Sequence, residues 1–271
     1  MKTILVTTDL SDVANNAVHY AADMAICINA GLLLLNVVQT PISYSDMPII
    51  VGLEDMMRNA EKDMEDLKGE IKLKTQNKIN IETEVGMGGF FEELKEVCER
   101  IKPFAVVMGS QGSTEAEHLI FGEHAVHAAK HLTWPVITVP TKATFTAIKK
   151  IVLASDLTQV VTNIPIEQIS TLVNDLDAEL YILNTGKQEI SDSDVDFASA
   201  ELREKTMALK PIFHFIGNDN SDSGVIDFVD KNQIDLLIVQ PQQHSFIGNL
   251  FHKSHTKQLI LHSDVPVMAV H

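Results

Sequence analysis

The stretch from Phe104 to Val139, FAVVMGSQGSTEAEHLIFGEHAVHAAKHLTWPVITV, limits what this chain can fold into more than any other. An apolar run leads into a glycine-interrupted loop, an amphipathic segment follows, and a second apolar run opens at Pro135. Runs that are apolar at successive positions suit strands buried on both faces. The stretch therefore predicts a strand, a loop at its carboxyl end, a helix and a second strand, which is the repeating unit of a parallel α/β sheet. Gly109 and Gly112 fall in the loop, and Gly122 falls where the helical pattern is expected to begin. Glycines let main-chain amides approach an anion, and a helix amino terminus adds a partial positive charge. The loop is where a ligand is expected.

The rest of the first half extends the same alternation. Thr3 to Thr7 reads as the first strand, and Ser11 as the cap of a helix whose Ala14, Ala17, Val18, Ala21 and Ala25 make a flat apolar face. Leu32 to Val38 reads as a central strand, and Thr40 to Ile50, with two prolines, as a loop. Met57, Ala60, Met64, Leu67 and Ile71 recur at helical spacing, Ile79 to Val85 predicts the third strand, and Phe91, Leu94, Cys98 and Ile101 mark the next helix. The methionines read as core.

After Val139 the segment PTKATFTA breaks both periodicities and reads as a linker, and then the pattern restarts. Lys150 to Asp156, KIVLASD, mirrors Thr3 to Asp9, TILVTTD; AELYILN ending at Asn184 mirrors the strand around Asn36; VPVMAV with Pro266 mirrors WPVITV with Pro135. Two tandem copies of one βα series follow, over 1–141 and 148–271. Each supplies five strands, giving two tandem, open, doubly wound, Rossmann-like parallel sheets. In such sheets ligands lie beyond the carboxyl ends of the strands at the point where strand order reverses.

The spacing of Gly109, Gly112 and Gly122, G-x2-G-x9-G, resembles the nucleotide loop of the universal stress protein family. The opening KTILVTTDLSD resembles that family's first strand ending in an aspartate, here Asp9. The resemblance covers nearly the whole chain and implies a strand order of 3-2-1-4-5, which would bring Asp9 and the Gly109 loop together. It implies a non-catalytic protein that binds ATP or AMP. Asp9 would accept hydrogen bonds from base or ribose, main chain near Val37 would border the adenine, and Gly109 and Gly112 would let the loop reach ribose and phosphates. The amides of Gly122, Glu123 and His124 would receive the phosphates. The resemblance also implies pairing of the two copies through their last strands as a pseudo-dimer. A homodimer of tandem chains and an unidentified protein partner are further expectations. A nucleotide-free interaction protein that keeps the fold is the alternative.

Glu123 departs from the serine or threonine usual in that family. At 4 Å two like charges repel by about 1 to 4 kcal/mol at effective dielectrics of 80 to 20. ATP binding would then call for Mg2+ as a bridge, or for a ligand with fewer phosphates. The second copy departs further, because Gln240, Gln243 and Lys253 stand where the three glycines would be, with Ser254 at the place of Glu123. That half is expected to be structural, or a partner surface that includes HSFIGNLFHK. Only the first copy is expected to bind nucleotide.

The net charge of −16 is shared evenly by the two halves, which argues against nucleic acid or an anionic membrane as a partner. No apolar run approaches the roughly 20 residues that span a bilayer, and no leader pattern opens the chain, so a cytoplasmic protein is expected. Cys27 and Cys98 suit reduced core thiols. His124, His127 and His131 share a helical face and read as a plain polar face rather than a metal site. No Walker loop, G-x-G-x-x-G or activated nucleophile is present, and an enzyme is not expected.

Overall fold

The computed structural model describes residues 2–39, 50–110, 115–155, 164–185, 202–216, 221–241 and 255–271. The first half runs β1 (Thr3–Thr7), α1 (Asp12–Cys27), β2 (Gly31–Val38), α2 (Ile50–Lys74), β3 (Ile81–Met87), α3 (Phe90–Ile101), β4 (Ala105–Gly109), α4 (Glu115–His131) and β5 (Val136–Val139). The second runs β6 (Lys150–Ser155), α5 (Ile166–Leu176), β7 (Glu179–Asn184), β8 (Ile212–Phe215), α6 (Ser221–Asn232), β9 (Leu236–Val239), α7 (His255–His262) and β10 (Val267–Ala269). The third strand begins and ends two residues later than the sequence pattern suggested, because it pairs with β2 as far as Met87. The proline-bearing stretch 40–49 lies outside the described residues.

The strand order is β3-β2-β1-β4-β5-β10-β9-β6-β7-β8. Each half therefore has the 3-2-1-4-5 order, and all pairings within a half are parallel. The two five-stranded units are joined edge to edge into one ten-stranded sheet. Val267, Met268 and Ala269 of β10 pair antiparallel with Thr138, Ile137 and Val136 of β5. Each last strand covers what would otherwise be an open edge of the other half.

The antiparallel joint reverses strand direction, so the carboxyl ends of β1 and β4 point to one edge of the sheet and those of β6 and β9 to the opposite edge. Helices cover both faces. Small residues on α1, with Ala17, Val18, Ala21, Ala22 and Ala25 buried, let it lie close against β1 and β4. A core containing residues of α1, α2 and α5 fills one side of the sheet. A second core, with residues of α3, α4, α6 and α7, fills the other.

Cys98 is buried, and burial together with neighbouring Glu99 pushes its thiol up to about 12, so it stays protonated. Cys27, expected to be a core thiol, is exposed at the end of α1. It is the last helical residue and falls outside the buried stripe, which continues through Ala25 and Ile28 on either side of it. No helix among the described residues is long and apolar enough to cross a membrane.

Candidate functional site at the first switch point

Strand order reverses between β1 and β4, where Ile4, Leu5 and Val6 pair with Ala105, Val106 and Val107. The chain leaves β1 through Thr8 and Asp9 and turns into α1. Thr8 is fixed at three atoms. Its amide donates to the Leu35 carbonyl at 2.9 Å, its carbonyl accepts from Asn36 Nδ2 at 2.8 Å, and its Oγ1 accepts from the Leu10 amide at 2.9 Å. Leu10 takes a left-handed φ of 67°, uncommon for a leucine and imposed here by the tightness of the turn.

Asp9 is exposed, and its Oδ1 accepts from the Ser11 amide at 3.1 Å and from Ser11 Oγ at 2.7 Å. Ser11 Oγ in turn accepts from the Ala14 amide at 3.3 Å as the cap of α1. One carboxylate oxygen is thus committed to the turn, and Oδ2 is left for a ligand or solvent. Val37 lies half-buried at the end of β2, next after Asn36, and pairs with Gly86 of β3.

Gly109 ends β4 beside Val139. A Cβ placed on it would stand 3.0 Å from Val13 Cγ1 and 3.4 Å from the Val13 carbonyl, so a side chain there would force the first turn of α1 to give by a few tenths of an ångström. This glycine has a packing reason independent of any ligand. Ser110, the next residue, is buried with its amide on the Val139 carbonyl at 2.9 Å. Its Oγ is buried without a hydrogen-bond partner among the described residues. A buried unpaired hydroxyl costs about 1 to 3 kcal/mol, and this one lies at the carboxyl end of β4. Gly112 lies outside the described residues.

The structure corrects the expected start of the helix. α4 begins at Glu115, so Gly122 lies in its interior, and the amides of Gly122, Glu123 and His124 do not form its amino terminus. The residues between, Glu115 to Phe121, include good helix formers and no breaker, so a glycine was a poor marker of the boundary. Gly122 instead serves a close approach. A Cβ there would stand 3.0 Å from Leu261 Cδ2 on α7 of the second half and 3.4 Å from the Ser110 carbonyl.

Glu123 is exposed and well past the first turn, so the charge conflict expected at the head of the helix does not arise there. His124 is half-buried and stacks on Phe90 with ring centroids 4.9 Å apart and planes 9° apart. Burial lowers its pKa, and the nearby Glu123 carboxylate partly opposes that. His127 meets Phe91 edge-on at 4.5 Å and lies 4.4 Å from the His131 ring. Among the described residues no group of three or more His, Cys, Asp or Glu is arranged to hold a metal ion.

Asp9, Val37, Gly109 and Ser110 therefore share one edge of the sheet, and Gly122 reaches the same place through the Ser110 carbonyl. Sequence reasoning passed over Ser110 and the structural part of Asn36. The signal for Asn36 was present, since an amide inside an apolar strand must find a buried partner.

At the opposite edge the equivalent place is built differently. Val239 pairs with Ala269 as Met108 pairs with Thr138, so Gln240 and Pro241 stand where the first half has Gly109 and Ser110. Pro241 has no amide to give, and the bond that Ser110 makes to the last strand has no counterpart. Asp156, Gln243, Lys253 and Ser254, and the segment HSFIGNLFHK, lie outside the described residues.

The model of the universal stress protein family matches residues 1–140 and again residues 147–271. The chain is a tandem member of the universal stress protein family. A universal stress protein of Methanocaldococcus jannaschii is 29% identical over 147 residues, covering 51% of this chain and 81% of that protein. Among solved structures, a universal stress protein from Archaeoglobus fulgidus superposes with a TM-score of 0.74 at 16% identity, covering 99% of this chain and 97% of its own. A functionally unknown protein of Pseudomonas aeruginosa gives 0.60 at 10% identity, covering 100% and 92%. These two likenesses concern the fold.

Proposed function

We propose that this chain is a non-catalytic adenine-nucleotide-binding stress protein, with its ligand held at the switch point of the first half. The observation that carries the reading is the pairing of two unspent polar groups at one edge. Asp9 keeps Oδ2 outside its turn, and Ser110 has a buried hydroxyl without a partner among the described residues. Thr8 and Asn36 hold the turn rigidly between them, as a pre-formed site requires. ATP or AMP is the ligand class, with Mg2+ accompanying the triphosphate because the chain is strongly acidic. A nucleotide-bound state would differ from the free one in what the surface can bind, which suits a cytoplasmic signalling or protective role.

A second reading rests on two glycines of the motif. Gly122 and Gly109 both have packing roles. On this reading the chain is a nucleotide-free interaction protein. Equilibrium dialysis with ATP and AMP, on the unaltered chain and on Asp9→Asn, separates the two. Saturable binding weakened about tenfold in the variant supports the nucleotide site, and no binding to either chain supports the interaction protein. Phosphate release no faster than from ATP alone in the same samples tests the non-catalytic part.

A further inference from the structure

A cleft of about 140 Å³ opens where the two halves meet. Tyr20 of α1, the linker residues from Ala143 to Ile148, and Ile234, Asp235, Asp264, Val265 and Pro266 of the second half line it. Asn16 Nδ2 donates to the Pro140 and Ala143 carbonyls at 3.1 and 3.0 Å, and so ties the linker to α1. The Phe145 ring meets Tyr20 edge-on at 5.2 Å.

The polar groups of this cleft are unbalanced. Tyr20 is only 3% exposed, and its hydroxyl makes no hydrogen bond among the described residues and is left to whatever fills the cleft. Burial and the Asp235 carboxylate together hold that hydroxyl protonated well above its usual range. Asp235 Oδ2 accepts the Lys149 and Lys150 amides, both at 2.8 Å, which leaves Oδ1 unengaged. Asp264 is exposed and adds a second carboxylate to the lining.

No lysine or arginine lines the cleft, and Lys149 and Lys150, which follow Ile148, are turned elsewhere. Lys149 Nζ reaches the Asp177 carbonyl at 3.3 Å, and Lys150 Nζ the Asn232 carbonyl at 3.0 Å. What is missing is a donor-rich positive group. It would give hydrogen bonds to both Asp235 Oδ1 and the Tyr20 oxygen, and its charge would lie beside two aromatic rings.

We propose that the cleft between the halves binds a small free alkylammonium ion, which bridges Tyr20 of the first half and the Asp235 and Asp264 carboxylates of the second. A cleft of this size suits a short-chain amine and not a nucleotide. The site is separate from the β1/β4 switch point, and its occupancy does not depend on the nucleotide reading. Because it takes walls from both halves and from the linker, the ion fixes the two halves to one another.

Titration of the full chain with n-butylammonium chloride, followed by ligand-observed NMR and by the unfolding midpoint, tests the assignment, with n-butanol as the neutral match. Saturable butylammonium binding, no saturable butanol binding, and a loss of at least fivefold in affinity in both Tyr20→Phe and Asp264→Asn are expected. Tyr20→Phe keeps the ring that packs on Phe145. Asp264→Asn alters an exposed side chain, so both variants should fold; Asp235→Asn is the harsher test because it also touches two amides. Equal binding of butanol, unsaturable binding of butylammonium, or affinity unchanged in both variants would overturn the proposal and leave a cleft that holds water alone.

Discussion

The two halves of this chain share a strand order and differ at the place where that order reverses. The first half ends β4 in Gly109 and Ser110, the second follows β9 with Gln240 and Pro241. A glycine allows α1 to close on the strand, and a serine gives an amide to the neighbouring strand while leaving a hydroxyl unspent. Glutamine and proline can do neither. The difference teaches that the scaffold does not depend on a glycine and a serine at the switch point, since both halves form the same strand order without the second having them.

Breaking the joint between the halves should give the largest effect. Met268→Pro removes a ladder amide from a strand paired on both sides, at a cost of about 3 kcal/mol or more. Urea unfolding should then separate into two transitions, and a single transition with an unchanged midpoint would show that the halves do not depend on β10. Next comes the contrast at the switch points. Gly109→Val should cost about 1 to 3 kcal/mol by driving into Val13, and more than Gln240→Val, made where a side chain is already accommodated. Equal losses in a denaturant series would remove the asymmetry argued above.

Acidity should separate the halves more gently. Burial lowers the pKa of His124 and of His271, whose Nε2 lies 3.0 Å from the Ala129 carbonyl and whose Nδ1 is buried without a partner among the described residues. Below about pH 6.5 the unfolded chain binds protons that the folded chain refuses, so stability falls as pH drops through that value and is fully present above it. Melting curves from pH 8 to pH 5 should show this fall, and His271→Gln should flatten part of it. The smallest effect is expected from Glu123→Ser. An exposed carboxylate well inside α4 should change nucleotide affinity by less than tenfold, and a larger gain in dialysis would place that carboxylate beside the phosphates.

Most of the fold was legible because buried parallel strands leave unbroken apolar runs, and the tandem copies repeat them. Asp9 was legible as the end of β1, and the approach of β1 to β4 followed from the strand order. The start of α4 was not, since glycine signals a boundary only when no better helix formers precede it, and here Glu115 to Phe121 do. The packing duties of Gly109 and Gly122 were not legible either. They depend on Val13 and on Leu261, and the latter lies in the other half of the chain.

Thermal unfolding of the full chain with millimolar ATP, AMP and adenosine, each with and without Mg2+, tests the central claim most directly. A ligand at 100 times its dissociation constant that binds only the folded state stabilises it by about 2.7 kcal/mol, which a raised midpoint reports. The account predicts a raised midpoint with ATP and Mg2+ or with AMP, and a smaller rise in Asp9→Asn. An unchanged midpoint with every ligand would contradict it and leave the first switch point, like the second, as scaffold.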